Sequence, residues 1–180
     1  KVIRKLREQP ATAGKSIHLT IDLALQRYIM SLLSGQKGAV VVLDPKDNSV
    51  LAMVSTPSYD NNLFVDGISA SDYKRLLNDP ARPLYSRATQ GVYPPASTVK
   101  PFVAVAALTE GVITPHTTIF DPGYWMLPNS TKRFRDWKKS GHGYTDLNKA
   151  ITESSDTFFY QTAFNLGIDR FSMWMKRFGF

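Results

Sequence analysis

Cysteine is absent from all 180 residues. That excludes a disulfide framework and any thiolate metal site, while leaving both reducing and oxidising compartments open. Long apolar runs are absent too. No stretch approaches the roughly 18 residues needed to span a bilayer, and the opening Lys1-Val2-Ile3-Arg4 lacks the shape of a signal peptide. A membrane anchor is therefore expected outside this chain. Internal repeats, low-complexity tracts and nucleic-acid modules are missing, so no nucleic-acid partner is expected. What is present is enough apolar side chain, 43%, for a packed core, and a net charge of +7 that favours anionic surroundings. The basic residues are scattered except for Lys132, Arg133, Arg135, Lys138 and Lys139 around Trp137, which read as a solvated loop.

Along the chain, Ile17 to Ile21 alternates like a short strand, and Asp22 caps a helix whose inner face is Leu25, Tyr28, Ile29 and Leu32, with Gly35 as its stop. Ala39–Leu43 and Val50–Val54, separated by Asp44-Pro45-Lys46-Asp47-Asn48, predict an antiparallel hairpin in the middle of a sheet. Thr56 to Ala96 reads mainly as loop, with a capping box at Ser69-Ala70-Ser71-Asp72 opening a short helix that ends before Pro80. A helix follows Ser97 and stops at Gly111, and a second loop runs from Pro115 to Tyr144. Helices are then expected near Leu147–Thr152, up to Gly167, and from Asp169 to Gly179, the last burying Phe171, Trp174, Met175 and Phe178. Two or three strands among several helices give a mixed α and β domain, and two strands make a poor sheet, so the chain reads as incomplete.

The segment richest in chemistry is Tyr93-Pro94-Pro95-Ala96-Ser97-Thr98-Val99-Lys100-Pro101. Ser97 and Lys100, three apart, share a helical face, so a neutral Lys100 can take the Ser97 proton. Pro101 belongs in a first turn, which puts Ser97 at a helix start, where unpaired N–H groups favour the charge that develops on attack at a carbonyl. By itself a Ser-x-x-Lys tetrapeptide is more often an N-cap followed by a solvated lysine.

Here the context decides, because the segment resembles the nucleophile motif of the class B penicillin-binding proteins, which usually reads Tyr-x-Pro-Gly-Ser-x-x-Lys-Pro before an apolar helix. Only Ala96 departs from it, where glycine would take a backbone conformation that alanine resists. The resemblance, closest to the elongation-specific members, extends through Leu19-Thr20-Ile21-Asp22 with Leu25-Gln26, Ala39–Ser58, Asn62-Leu63-Phe64, Arg87-Ala88 and Phe120-Asp121-Pro122-Gly123. Ser154-Ser155-Asp156 stands where the family has Ser-x-Asn. The resemblance implies that Ser154 relays protons between Lys100 and the leaving amine and that Asp156 orients Lys100 or substrate. Asp156 reads equally well as a helix first-turn residue, and a carboxylate beside Lys100 also keeps it protonated.

The implied fold is α+β, the penicillin-recognising, β-lactamase-like fold, an antiparallel sheet flanked by helices with a helical subdomain. Residues 1–15 are then a linker from a preceding pedestal domain and 16–180 the N-terminal part of the transpeptidase domain. The implied activity is peptidoglycan D,D-transpeptidation through an acyl-enzyme on Ser97, without a cofactor, inhibited by β-lactams. A serine β-lactamase and a penicillin-sensing domain are the alternatives. Implied partners are D-Ala-D-Ala stem peptides and the elongation complex's glycosyltransferase and scaffold proteins, with the catalytic domain in the periplasm, anchored to the bacterial inner membrane.

Lys139-Ser140-Gly141 matches the family's third motif in letters but precedes Ser154 in a basic loop without strand pattern, so it is rejected and the true motif is expected outside the chain. Asp121, Asp136 and His142 are acceptable zinc ligands, but Ser155 stands where some relatives carry a cysteine, and a hydroxyl is a poor ligand for zinc. No metal is expected. Asp121 reads instead as a turn residue and Asp136 as a partner of Arg133 or Arg135.

Overall fold

In the computed structural model, which describes residues 12–180, helix α1 (Leu23–Leu32) starts where the sequence offers its first cap: the Asp22 carboxylate accepts from the Leu25 N–H at 3.0 Å. The expected linker 1–15 lies, up to residue 11, outside the described residues. Ile17 to Ile21 does not form a ladder strand. The Thr20 hydroxyl and the Asp22 N–H instead reach the carbonyls of Val50 and Leu51, two isolated bonds that tie the chain to a strand edge.

Strands β1 (Gly38–Leu43) and β2 (Val50–Thr56) form the expected antiparallel hairpin, with Val40 opposite Val54 and a register shift at Val42/Leu43. Ile29 of α1, with Leu25 and Leu33, packs on Ala52, Val54, Val40 and Val42 of one face. Tyr28 and Leu32 do not join that face and stay exposed, because the two-stranded surface is too narrow to cover them. The other face, carrying Val41, Leu43 and Met53, is exposed as well. Gln26 fixes α1 to the hairpin by exchanging side-chain bonds with the Met53 N–H and carbonyl, both at 2.8 Å. Helix α2 (Ala70–Asn78) opens as read, Ser69 accepting from the Asp72 N–H. A four-residue helix α3 (Arg87–Gln90), not foreseen, is tied to β2 through the Ser55 hydroxyl. These elements form one compact unit that extends to Val92.

The second unit, Tyr93–Phe180, is mostly helical. Its core lies between α4 (Lys100–Thr109), α5 (Leu147–Thr152), α6 (Asp156–Leu166) and α7 (Ile168–Arg177). Val103, Ala106 and Ala107 of α4 meet Phe158, Phe159 and Leu166 of α6 and Trp174 and Met175 of α7. The stripe read on α7 is in place, Phe171 and Phe178 flanking the two buried residues. Small residues on α4 let α6 approach closely, which matters because both helices begin at chemistry-bearing side chains.

The expected loop from Pro115 to Tyr144 instead holds four three-residue strands in two antiparallel pairs. Strand β3 (Ile119–Asp121) pairs with β6 (Gly143–Thr145), and β4 (Tyr124–Met126) with β5 (Arg133–Arg135). Three residues are too few to show a period of two, so the pattern is invisible until the pairing partners meet. The basic cluster sits on β5 and the turn after it, largely exposed, with Arg133 over the Tyr124 ring and Lys132 over Phe134.

Candidate active site

Ser97 sits in a single 3₁₀ turn (Ala96–Val99) that runs into α4, with Pro101 in the first turn of that helix as expected. Ala96 takes φ +48°, the left-handed conformation for which glycine would be the unstrained choice. Relief of strain in Ala96→Gly is offset by the freedom glycine adds to the unfolded chain. We therefore expect a stability change under about 1 kcal/mol. Ala96→Val, with a β-branched side chain in the same conformation, should destabilise by a further ~1–2 kcal/mol, read as the shift in the urea midpoint.

Lys100 is buried and its ammonium donates three hydrogen bonds: to the Ser154 carbonyl at 2.7 Å, to Ser154 Oγ at 3.1 Å and to Asp156 Oδ1 at 2.6 Å. That is the full complement of a lysine ammonium. Ser154 Oγ in turn donates to Ser97 Oγ at 3.0 Å. The direct Ser97–Lys100 contact expected from their helical spacing is thus replaced by a chain in which Ser154 is the middle link. All three donors of the Lys100 ammonium go to Ser154 and Asp156, which leaves none for Ser97.

Three exposed or half-buried groups therefore converge on one buried cation, and the backbone around Ser154 makes this possible. Ser154 has φ +55°, a reversal between α5 and α6 that turns both its carbonyl and its hydroxyl toward Lys100. The cap of α6 is Ser155, whose Oγ accepts from the Phe158 N–H at 3.2 Å. Asp156, for which capping and pairing were equal readings, pairs with Lys100.

The pairing of Asp136 with Arg133 or Arg135 does not occur. Asp136 is buried, and its Oδ2 accepts from the backbone N–H groups of Asp156 at 2.6 Å and Thr157 at 2.9 Å, its Oδ1 from Lys138 N–H at 3.2 Å. Desolvation by burial pushes this carboxyl up. The N–H groups of Thr157, Lys138 and Asp156 outweigh it and hold the group at about 2. The sequence marks Asp136 as a possible zinc ligand and not for this role, because the helix end it serves lies about twenty positions away. His142 lies between two carboxylates, Nε2 3.2 Å from Asp136 Oδ1 and Nδ1 2.7 Å from Glu153 Oε2. The His142 hydrogen bond, then the charges of Lys149 and Lys138, hold Glu153 below the usual carboxylate range.

Two glycines let these segments meet. A Cβ on Gly123 would strike the Lys139 carbonyl, and one on Gly141 the Asp121 carbonyl, both at impossible distances. Lys139-Ser140-Gly141 accordingly forms a turn between β5 and β6 and lies on no strand. Asp121 accepts from the Gly123 N–H at 2.7 Å, the turn role read for it, yet it is also fully buried.

Asp121, Asp136 and His142 do gather, with one ligand atom of each within 4.8 Å of the others. Glu153 on Nδ1 would orient the imidazole for a metal. The fourth neighbour, however, is the neutral hydroxyl of Ser155, which donates to Asp121 Oδ2 at 2.9 Å, and both carboxylates are already bonded to protein N–H groups. The N–H groups of Gly123, Asp156 and Thr157 hold the outer oxygens, so a zinc ion among His142 Nε2, Asp121 Oδ2 and Asp136 Oδ1 would gain only this hydroxyl, a weak ligand, as its fourth. We expect far less than one zinc per chain by elemental mass spectrometry of the purified full-length protein. A stoichiometric content would overturn that expectation.

A cleft of about 570 Å³ opens beside Ser97, walled by Lys100 and Asp156 on the polar side and by Val103, Phe159, Ala163 and Phe171 on the apolar side. Tyr160 also lines it. Burial, followed by the charges of Asp156 and Asp136, pushes the Tyr160 hydroxyl up, so it stays a neutral donor. Sequence reasoning missed Phe159 and Tyr160, which an amphipathic pattern marks only as core.

Comparison with known proteins gives the same family throughout. The family model "Penicillin binding protein transpeptidase domain" matches residues 38–180. The chain is 86% identical, over its whole length, to the peptidoglycan D,D-transpeptidase MrdA of Haemophilus influenzae, and spans 28% of that protein. It superposes with a TM-score of 0.87 and 51% identity on Pseudomonas aeruginosa PBP2 in complex with WCK 5153, over 90% of this chain and 35% of that one. With PBP2 of Helicobacter pylori, solved as a complex with MreC, the TM-score is 0.82 at 37% identity, over 89% of this chain and 30% of that one.

Proposed function

From the fact that this chain belongs to the penicillin-binding protein transpeptidase family, we propose that the protein it comes from is a peptidoglycan D,D-transpeptidase with Ser97 as its nucleophile. The observation that carries this reading is the unbroken hydrogen-bond chain from Ser97 through Ser154 to Lys100 and Asp156.

Such a chain moves a proton without moving heavy atoms. With Lys100 as the free amine, Ser97 Oγ attacks the carbonyl of the penultimate D-Ala of a stem peptide. Its proton passes to Ser154 Oγ, whose own proton passes to Lys100 Nζ. The donor directions seen here, Lys100 to Ser154 to Ser97, suit the return step, in which that proton is delivered to the departing D-Ala nitrogen. An amine of a second stem then attacks the Ser97 ester. It loses a proton along the same route, frees Ser97 and leaves the crosslink. Asp156 fixes Lys100 Nζ at the end of this route, and the apolar wall of the cleft holds the stem side chains while excluding water. A β-lactam presents a strained amide to the same hydroxyl and should leave a long-lived ester.

H. pylori PBP2 is known in a complex with MreC, which supports a scaffold partner of the elongation machinery for this protein too. No helix of the described residues is long and apolar enough to cross a membrane. The periplasmic face of the inner membrane is the location that fits a peptidoglycan substrate.

The test is to incubate the full-length protein with a fluorescent penicillin and locate the label by peptide mass spectrometry. Label on the Ser97 peptide that outlasts removal of free drug is expected. Label elsewhere, or none, would sink the assignment, and rapid nitrocefin turnover would make the protein a β-lactamase.

A further inference from the structure

We propose that Asp136 is a positioning residue for this site: by occupying the N-terminus of α6 it leaves the Asp156 carboxylate free to hold Lys100. The inference rests on the reading of Ser97 and Lys100 as the reacting pair, and it concerns what sets their geometry.

The first N–H groups of a helix have no partner within it, and together with the helix dipole they attract any nearby carboxylate. Asp156 is the first residue of α6 and is the nearest candidate to fold back onto them. Here those donors are already taken. The N–H groups of Asp156 and Thr157 both go to Asp136 Oδ2, and that of Phe158 goes to Ser155 Oγ. With its own helix end satisfied from outside, Asp156 turns its carboxylate to Lys100 Nζ at 2.6 Å.

Asp136 is itself rigid, since its side chain is buried and its second oxygen is held by the Lys138 N–H and by His142. The same loop grips the other side of Ser154. Trp137 Nε1 donates to the Glu153 carbonyl at 3.1 Å, and His142 bonds the Glu153 carboxylate. Residues on both flanks of Ser154 are thereby fixed, which keeps that residue in its left-handed conformation with carbonyl and hydroxyl aimed at Lys100. Removing the Asp136 carboxylate altogether vacates the helix end. Asp156 then competes for it, and Lys100 loses one of its three anchors.

The experiment uses the full-length protein as wild type, Asp136→Ala, Asp156→Asn and the double variant, reading the rate of Ser97 acylation by fluorescent penicillin. Asp136→Ala alone is expected to slow acylation on the order of 10- to 100-fold, the size of effect a misplaced catalytic group produces. In the Asp156→Asn background the same change should cost less than about threefold, because the residue through which it acts is gone. Equal fold-losses in both backgrounds, as a general loss of stability would give, overturn the proposal, as does Asp136→Ala acylating at the wild-type rate.

Hydrogen exchange of the wild type supplies a test that needs no folded variant. The amides of Asp156 and Thr157 should exchange far more slowly than those of Asp169 and Arg170 at the uncapped start of α7, and equal rates would overturn the proposal. A wild type unlabelled at Ser97 would overturn the functional reading itself, whatever the exchange rates show.

Discussion

Lys100→Met should slow acylation of Ser97 in the full-length protein by about 10³-fold, within the range that a positioned proton-transfer group supplies. Methionine keeps most of the buried stem and its packing against the Phe159 ring, 5.7 Å from the ammonium, so the change isolates the loss of the amine. Without Nζ, Ser154 Oγ has no group to receive its proton, and Asp156 loses its only ion-pair partner among the described residues. The rate of fluorescent penicillin labelling at saturating drug reads the effect. A loss below tenfold would remove Lys100 from the proton route and leave Ser154 or Asp156 to carry it.

Phe158→Ala should destabilise the domain by about 3–5 kcal/mol, the usual result of emptying a buried aromatic site. Phe158 is fully buried, packs edge-on against Phe159 at 5.4 Å and lies at the centre of the core shared by α4, α5, α6 and α7. Its position, two residues after Asp156, means that the same helix turn carries the core and the site. The urea midpoint measures the loss, and Ile151→Ala, an exposed residue of α5, should move it by under about 1 kcal/mol. Similar shifts for the two variants would show that α6 is not the organising helix.

Much of the local structure was legible because its causes are local. Asp22 and Ser69 cap the helices they were read to cap, Gly111 and Gly167 follow the ends of α4 and α6, and Asp44–Ser49 turns the first hairpin. Capping, turn chemistry and helical periodicity act over four residues or fewer, so a linear reading captures them. The same holds for the Ser97–Lys100 motif, whose proline fixes where α4 begins. The failures also share a cause. Ile17–Ile21 alternates correctly but reaches a strand edge through the Thr20 hydroxyl alone, and the four short strands between Ile119 and Thr145 carry no period to read.

The sequence by itself determined the nucleophile segment, the helices that carry it and the residue types present for chemistry, because each is set by neighbours within one or two turns. Only the tertiary structure decided how those residues divide the work. Ser154 stands between Ser97 and Lys100, Asp156 pairs with Lys100 while Ser155 caps α6, and Asp136 serves the helix end and ignores the arginines beside it. Apart from the Ser155 cap, which is local, each of those choices joins groups twenty to fifty-seven positions apart. A carboxylate between a solvated arginine and two buried N–H groups goes to the N–H groups, since leaving them unpaired costs more than losing a screened surface ion pair.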